Sequence, residues 1–215
     1  MYIPSSFAER DLPTLVAFIE SHPLGALVTN TTEGLLATHL PLVLDRSAGP
    51  LGTLVGHLAR ANPHSRGITG GEAESLVIFT GPEAYITPAW YATKQETGRV
   101  VPTWNYVAVH AYGVLRLRDD AEFLRAHLDA LTNQHERGRP RPWQVTDAPD
   151  DYVEQLTKAI IGFELRIDRL EGKWKMSQNR PEADIDGVVR GLGYSEAPHD
   201  QAVAEIVQQR RPRKS

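Results

Sequence analysis

Asp11 precedes a run in which Leu12, Leu15, Val16 and Ile19 recur at helical spacing and which ends near Pro23. An acceptor side chain ahead of a 3.6-period stripe predicts a short amphipathic helix. The period then falls to two. Segments 24–30, 35–45 and 51–59 are short, apolar and parted by turn-like TTEG and SAGP stretches, and 75–81 and 83–88 look like two further strands. The clearest strand is 104–118. Val107, Val109, Ala111, Gly113, Leu115 and Leu117 alternate there with His110, Tyr112, Arg116 and Arg118. Helices are predicted at about 120–137, starting at Asp119/Asp120, and at 150–161, where Asp151 and Glu154 have capping-box spacing. A last strand follows at 162–178, and two short helices at about 182–192 and 199–210 precede a frayed basic tail over 210–215. Six or seven mostly sequential strands without βαβ alternation predict an α+β fold, an antiparallel β-barrel with flanking helices. The whole chain, 1–215, reads as a single domain.

Composition narrows the chemistry. With no cysteine in 215 residues, disulfides, thiolate metal sites and cysteine nucleophiles are excluded. No apolar stretch approaches the ~18–20 residues of a membrane span. The N-terminus lacks the basic and apolar regions of a signal peptide, so a cytoplasmic protein is expected. The formal charge is −4, and four basic residues (Arg210, Arg211, Arg213, Lys214) fall in the last six positions. Nucleic-acid binders usually carry a broader basic surface. The hydrolase elbow, the H-E-x-x-H metal motif, the phosphate loop and the dinucleotide fingerprint are all missing. Neither His57/His64 nor His127/His135 has metal-ligand spacing, so no metal site is expected and no catalytic residue is assigned.

Three segments carry more. GHLARANPH (56–64) places His57, Arg60, Asn62 and His64 where a strand opens into a loop. Segment 85–106 packs Tyr85, Trp90, Tyr91, Trp104 and Tyr106 around Lys94 and Arg99. That pattern suits a planar anionic ligand or a subunit interface, with aromatic core plugs as the structural alternative. GKWKMSQNR (172–180) alternates Lys173 and Lys175 with Trp174 and Met176, then sets Ser177, Gln178, Asn179 and Arg180 in succession. This density of donors fits a phosphate or a flavin ring edge, or simply an exposed strand end before a helix.

Across these segments the chain resembles the PaiB-type FMN-binding negative transcriptional regulators. The residues that carry the resemblance are MYIPSSF, HPLGALVT, ATHLPL, GHLARANP, YITPAWY, VPTWNY with VHAYG, and KMSQNR, collinear over 1–192. Met176 replaces the aliphatic residue expected there, and no resemblance extends past about 195. The resemblance implies a split barrel related to pyridoxamine-phosphate oxidases, an FMN cofactor and a homodimer with the flavin at the subunit interface. It also implies cofactor contacts from Thr38, His39, His57, Arg60, Asn62, Lys94, Trp104, Asn105, Lys175, Ser177, Gln178, Asn179 and Arg180. Arg60 is expected on the FMN phosphate, because no Asp or Glu lies within ten residues of it; Lys94 and the SQNR segment are next in line.

The function implied is negative transcriptional regulation, with DNA as a further partner. Residues 184–211 superficially resemble two helices about a Gly-containing turn. However, Ala202, Val203, Ile206 and Val207 form an apolar stripe better suited to docking than to base reading. Two rival functions are an FMN-dependent oxidoreductase using NAD(P)H on a small molecule, and a haem or flavin storage module.

Overall fold

The computed structural model describes residues 1–212 of the chain. In chain order its regular elements are β1 (Ala8–Glu9), α1 (Leu12–Ser21), β2 (Leu24–Thr31), β3 (Gly34–Pro41), β4 (Val43–Asp45), β5 (Thr53–Ala59), α2 (Pro63–Arg66), β6 (Glu72–Ile86), α3 (Ala92–Thr97), β7 (Thr103–Arg118), α4 (Ala121–Glu136), α5 (Asp150–Lys158), β8 (Ile160–Lys175), α6 (Glu182–Gly193) and α7 (Pro198–Gln209). The strands form one eight-stranded antiparallel sheet in the order β3-β2-β6-β7-β8-β5-β4, with β1 added on β8. The fold is therefore α+β, as the period-two pattern predicts. Two corrections concern the strands. Residues 75–88 form no pair of strands but lie largely within the single strand β6, and 35–45 is split into β3 and β4 around buried Leu42. Pro82 is tolerated inside β6 because pairing with β2 ends at Ile78, so on that side no ladder bond needs its missing N–H.

Contacts gather the chain into two compact units, each built from separate segments. The first comprises Met1–Asp11, Thr80–Val109 and Glu171–Ser215, the second Leu12–Phe79 and His110–Leu170. The second unit holds the β2–β3 hairpin, whose register runs from Leu24↔Pro41 to Thr31↔Gly34, a two-residue turn. Its core is Leu27, Leu54, Val77, Phe79, Leu115, Phe163 and Leu165, all without exposure. Each such burial is worth about 1.5–3 kcal/mol before entropy. Gly113 lies so close to β8 that a Cβ would sit 1.9 Å from the Arg166 carbonyl. Asp120 caps α4 by accepting from Phe123 N at 2.7 Å, as expected. The capping box at Asp151–Glu154 does not form: Pro149 is the N-cap of α5, and Glu154 pairs instead with Lys158 one turn on, at 2.8 Å.

The first unit packs α6 against α7, burying Val188, Leu192, Val203 and Val207. The α7 stripe is therefore spent on packing within this unit. Gly187 of α6 approaches the backbone so closely that a Cβ would lie 1.8 Å from the Trp90 carbonyl. The expected frayed tail needs correction at its start. Arg210 pairs with Glu9 and stacks on Trp174 at 5.0 Å, and Arg211 pairs with Asp186 at 2.7 Å. The remainder of that tail, 213–215, lies outside the described residues. No helix of the described residues is long and apolar enough to cross a membrane.

Candidate functional site

β8 ends at Lys175, and the chain turns sharply through Ser177, whose φ of +63° lies in the left-handed region. A non-glycine residue there costs energy that local contacts must offset. Ser177 and Asn105, both buried, exchange two hydrogen bonds: Asn105 Nδ2 donates to Ser177 Oγ at 3.0 Å, and Ser177 Oγ to Asn105 Oδ1 at 3.2 Å. The Gln178 side chain clasps the same turn. It accepts from Met176 N at 2.7 Å and donates to the Trp174 carbonyl at 2.6 Å. Of the SQNR donors, Gln178 is thus consumed by the fold.

Lys175, Asn179 and Arg180 surround the turn. With Thr103, Asn105 and Ser177 they line a cavity of about 100 Å³, roughly three waters' worth. Lys175 Nζ donates to the Trp104 carbonyl at 2.5 Å and to the Thr103 hydroxyl. Burial, together with the nearby charges of Lys173 and Arg180, holds its pKa below the usual lysine value. The Arg180 guanidinium lies over the Tyr91 ring at 4.6 Å. Neither Lys175 nor Arg180 is in a salt bridge among the described residues. Two cations without a carboxylate beside a small polar cavity make a site for an anion. The space suits a phosphate rather than a three-ring system. Trp104 is half exposed, edge-on to Tyr85 at 5.9 Å, and Lys94 is exposed on α3.

The second unit gathers the other candidates. Thr38 Oγ1 lies 2.9 Å from His64 Nδ1 and 3.4 Å from Asn62 Nδ2, while Asn62 Oδ1 caps α2 by accepting from His64 N. His64 is buried with Nε2 unpartnered. His39 is exposed on β3. His57 is drawn elsewhere, its Nδ1 3.0 Å from His127 Nε2. Arg60 corrects the expectation made for its charge. Its guanidinium grips Asp119 with both terminal nitrogens and donates through Nε to the Lys158 carbonyl at 3.0 Å. The acid sits 59 residues away, just beyond the end of β7, so a search of neighbouring residues could not find it. His64, Tyr91 and Thr103 fall in the polar and aromatic segments marked by the sequence, whereas His127 lies outside them. His127 had a signal, because it falls three residues after Leu124 on the buried face of α4.

An antiparallel α+β sheet with a phosphate-sized cationic cavity fits the class of proteins that bind a phosphorylated ligand. The family described as "Putative FMN-binding domain" matches residues 1–169. An uncharacterized protein of Emericella nidulans is 40% identical, over 98% of this chain and 97% of its own. The Bacillus subtilis protease synthase and sporulation protein PAI 2 is 32% identical, over 97% of each. The chain belongs to this PaiB-type FMN-binding family, and its cofactor is FMN. Among solved structures, the FAD and heme binding protein from Mycobacterium smegmatis is 16% identical, with a TM-score of 0.57 over 83% of this chain and 78% of that one. A conserved hypothetical protein from Mycobacterium tuberculosis is 10% identical, with a TM-score of 0.58 over 85% and 95%. These two likenesses show the fold, which is of the split-barrel type.

Proposed function

We propose that the protein is a cytoplasmic FMN-binding homodimer that acts as a negative transcriptional regulator. The observation that carries the flavin half is the pair Lys175 and Arg180, which among the described residues are in no salt bridge beside the small cavity. In this reading Lys175, Arg180, Ser177 and Asn179 hold the FMN phosphate, where two cations meet the charge of a phosphate dianion. Thr38 and Asn62 belong to a second polar cluster in the other unit, where Thr38 is held by the buried His64. FMN would supply redox chemistry when bound; the side chains named here bind and orient it.

The homodimer is supported by half-exposed Tyr85 and Trp104 and by Val101, 65% exposed, which together leave apolar surface bare in a single chain. The regulatory half rests on kinship with the Bacillus subtilis PAI 2 protein and on the PaiB-type motifs. Base reading by α6 and α7 forms no part of it, since their apolar faces pack together and Arg210 and Arg211 spend their charge on Glu9 and Asp186.

The test has three arms. Purified protein should show a flavin absorption spectrum and sediment as a dimer at micromolar concentration. Deleting the gene should raise a defined set of transcripts, which wild-type protein restores to low levels and a Lys175→Ala/Arg180→Ala double variant does not. Transcripts unchanged by deletion, together with NADH oxidation by the yellow protein, would replace regulation with oxidoreductase activity.

A further inference from the structure

A cleft in the second unit, of about 410 Å³, is lined mainly by apolar side chains. Leu128 of α4, Val153 and Leu156 of α5, Trp143 and Val145 from the connection between these helices, and Ile160 of β8 form its walls. Trp143, Tyr152 and Leu156 are about half exposed although large and apolar. This volume lies within the range of small-molecule sites, about 300–1,000 Å³, where an apolar lining with a few placed polar groups is the rule. No lining residue carries a formal charge, and the nearby Lys158 and Glu154 neutralise each other. A charged ligand would find no counter-ion there. The site is built from residues other than the phosphate cluster described above.

Thr132, Tyr152, Thr157 and His57 are the polar side chains among the walls, and the hydrogen bonding of His57 sets what it can offer. Nδ1 of His57 is 3.0 Å from Nε2 of His127, so one of these two nitrogens must carry the proton. His127 is 97% buried, and its Nδ1 has no partner. If His57 donated, the neutral His127 would carry its own proton on Nδ1, a buried N–H with nothing to accept it. If His127 donates, its Nδ1 keeps only a lone pair, and a bare buried acceptor is the better tolerated of the two. His127 Nε2–H therefore donates to His57 Nδ1, and His57, neutral, holds its proton on Nε2. That nitrogen has no hydrogen bond among the described residues, and His57 lines the cleft.

We infer that this cleft is a second ligand site, for an uncharged, mainly apolar small molecule bearing a carbonyl-type acceptor that His57 Nε2–H meets. A regulator that answers to such a compound as well as to flavin would hold two inputs in one chain.

The test uses FMN-loaded protein and Nile red, an uncharged planar dye with a carbonyl, beside pyrene, a planar hydrocarbon without an acceptor. Both should bind at micromolar concentration. Leu156→Arg, at a half-exposed position that tolerates the change, should weaken both by roughly tenfold or more while leaving FMN content unchanged. His57→Phe keeps the ring and removes the donor. It should weaken Nile red roughly fivefold and leave pyrene alone. The inference is overturned if Nile red does not bind, if excess FMN displaces it, or if Leu156→Arg leaves its affinity intact. It is also overturned if Leu156→Arg converts a dimer to a monomer, since the cleft is then an interface between copies.

Discussion

The two units each hold a buried polar cluster, and the clusters have opposite electrostatics. In the first unit, Lys175 and Arg180 stand beside Asn105 and Ser177, and neither is in a salt bridge among the described residues. In the second, His64 and His127 are buried and Thr38, Asn62 and His57 half-buried, and burial lowers the pKa of all three histidines, which favours their neutral form. One environment keeps its charge and waits for an anion. The other has shed its charge and stores acid sensitivity instead. Similar polar side chains thus serve binding in one place and conditional stability in the other, and what separates them is whether the charge can be given up.

The largest expected effect tests the neutral side. Burial, and then the neighbouring His57, lower the His127 pKa from 6.5 to about 4. Below pH 6.5 the unfolded chain takes up this proton while the folded chain does not. The stabilisation from the neutral ring is therefore complete above pH 6.5 and drains away as pH falls toward 4, by roughly 3 kcal/mol. Urea unfolding at pH 7 and pH 4.5 should show this loss in wild type and a smaller one in His127→Phe. Equal losses would place the acid sensitivity elsewhere.

On the charged side, Lys175→Ala or Arg180→Ala should each cost about 1.5–3 kcal/mol of FMN affinity, or roughly ten- to a hundredfold. Fluorescence titration of the apo-protein reads this directly, and unchanged affinity would remove the phosphate from this cavity. Ser177→Ala keeps the left-handed backbone and strips Asn105 of its partner, so a loss of about 1–2 kcal/mol in thermal stability is expected. The smallest effect is assigned to Arg60→Ala. An exposed pair such as Arg60–Asp119 contributes about 0–1 kcal/mol. FMN affinity should stay within about twofold, because that guanidinium is already engaged. A tenfold loss would restore Arg60 to the flavin and blur the contrast between the units.

Much of the fold was legible because it is written in local periodicity. The alternation in β7 and the Asp120 cap each depend on residues a few positions apart. Where tertiary pairing decides, local pattern falls short: 75–81 and 83–88 look like two strands, yet β6 continues through Pro82 because its pairing with β2 stops at Ile78. The SQNR donors were visible as a run. Their division of labour was not, since Gln178 closes the turn on Trp174 and Met176 while Asn179 and Arg180 line the cavity. Arg60–Asp119 and His57–His127 span 59 and 70 residues. Pairings of that length are set by strand and helix packing, which no spacing along the chain encodes.

The discontinuity of the two units sets an order of events during biosynthesis. All the segments of the second unit have been made once residue 170 is polymerised, whereas the first still lacks everything from Glu171 onward. At about 5–20 residues per second, the closing stretch takes a few seconds to be made. Through that interval β1 has no β8 end to pair with, Asn105 waits for Ser177, and the 80–109 segment stands without α6 and α7. The flavin phosphate cluster is thus completed only at Arg180, after every segment of the second unit has been made. A chain ending before Lys175 would hold every residue of the histidine cluster but not the cations that grip its cofactor.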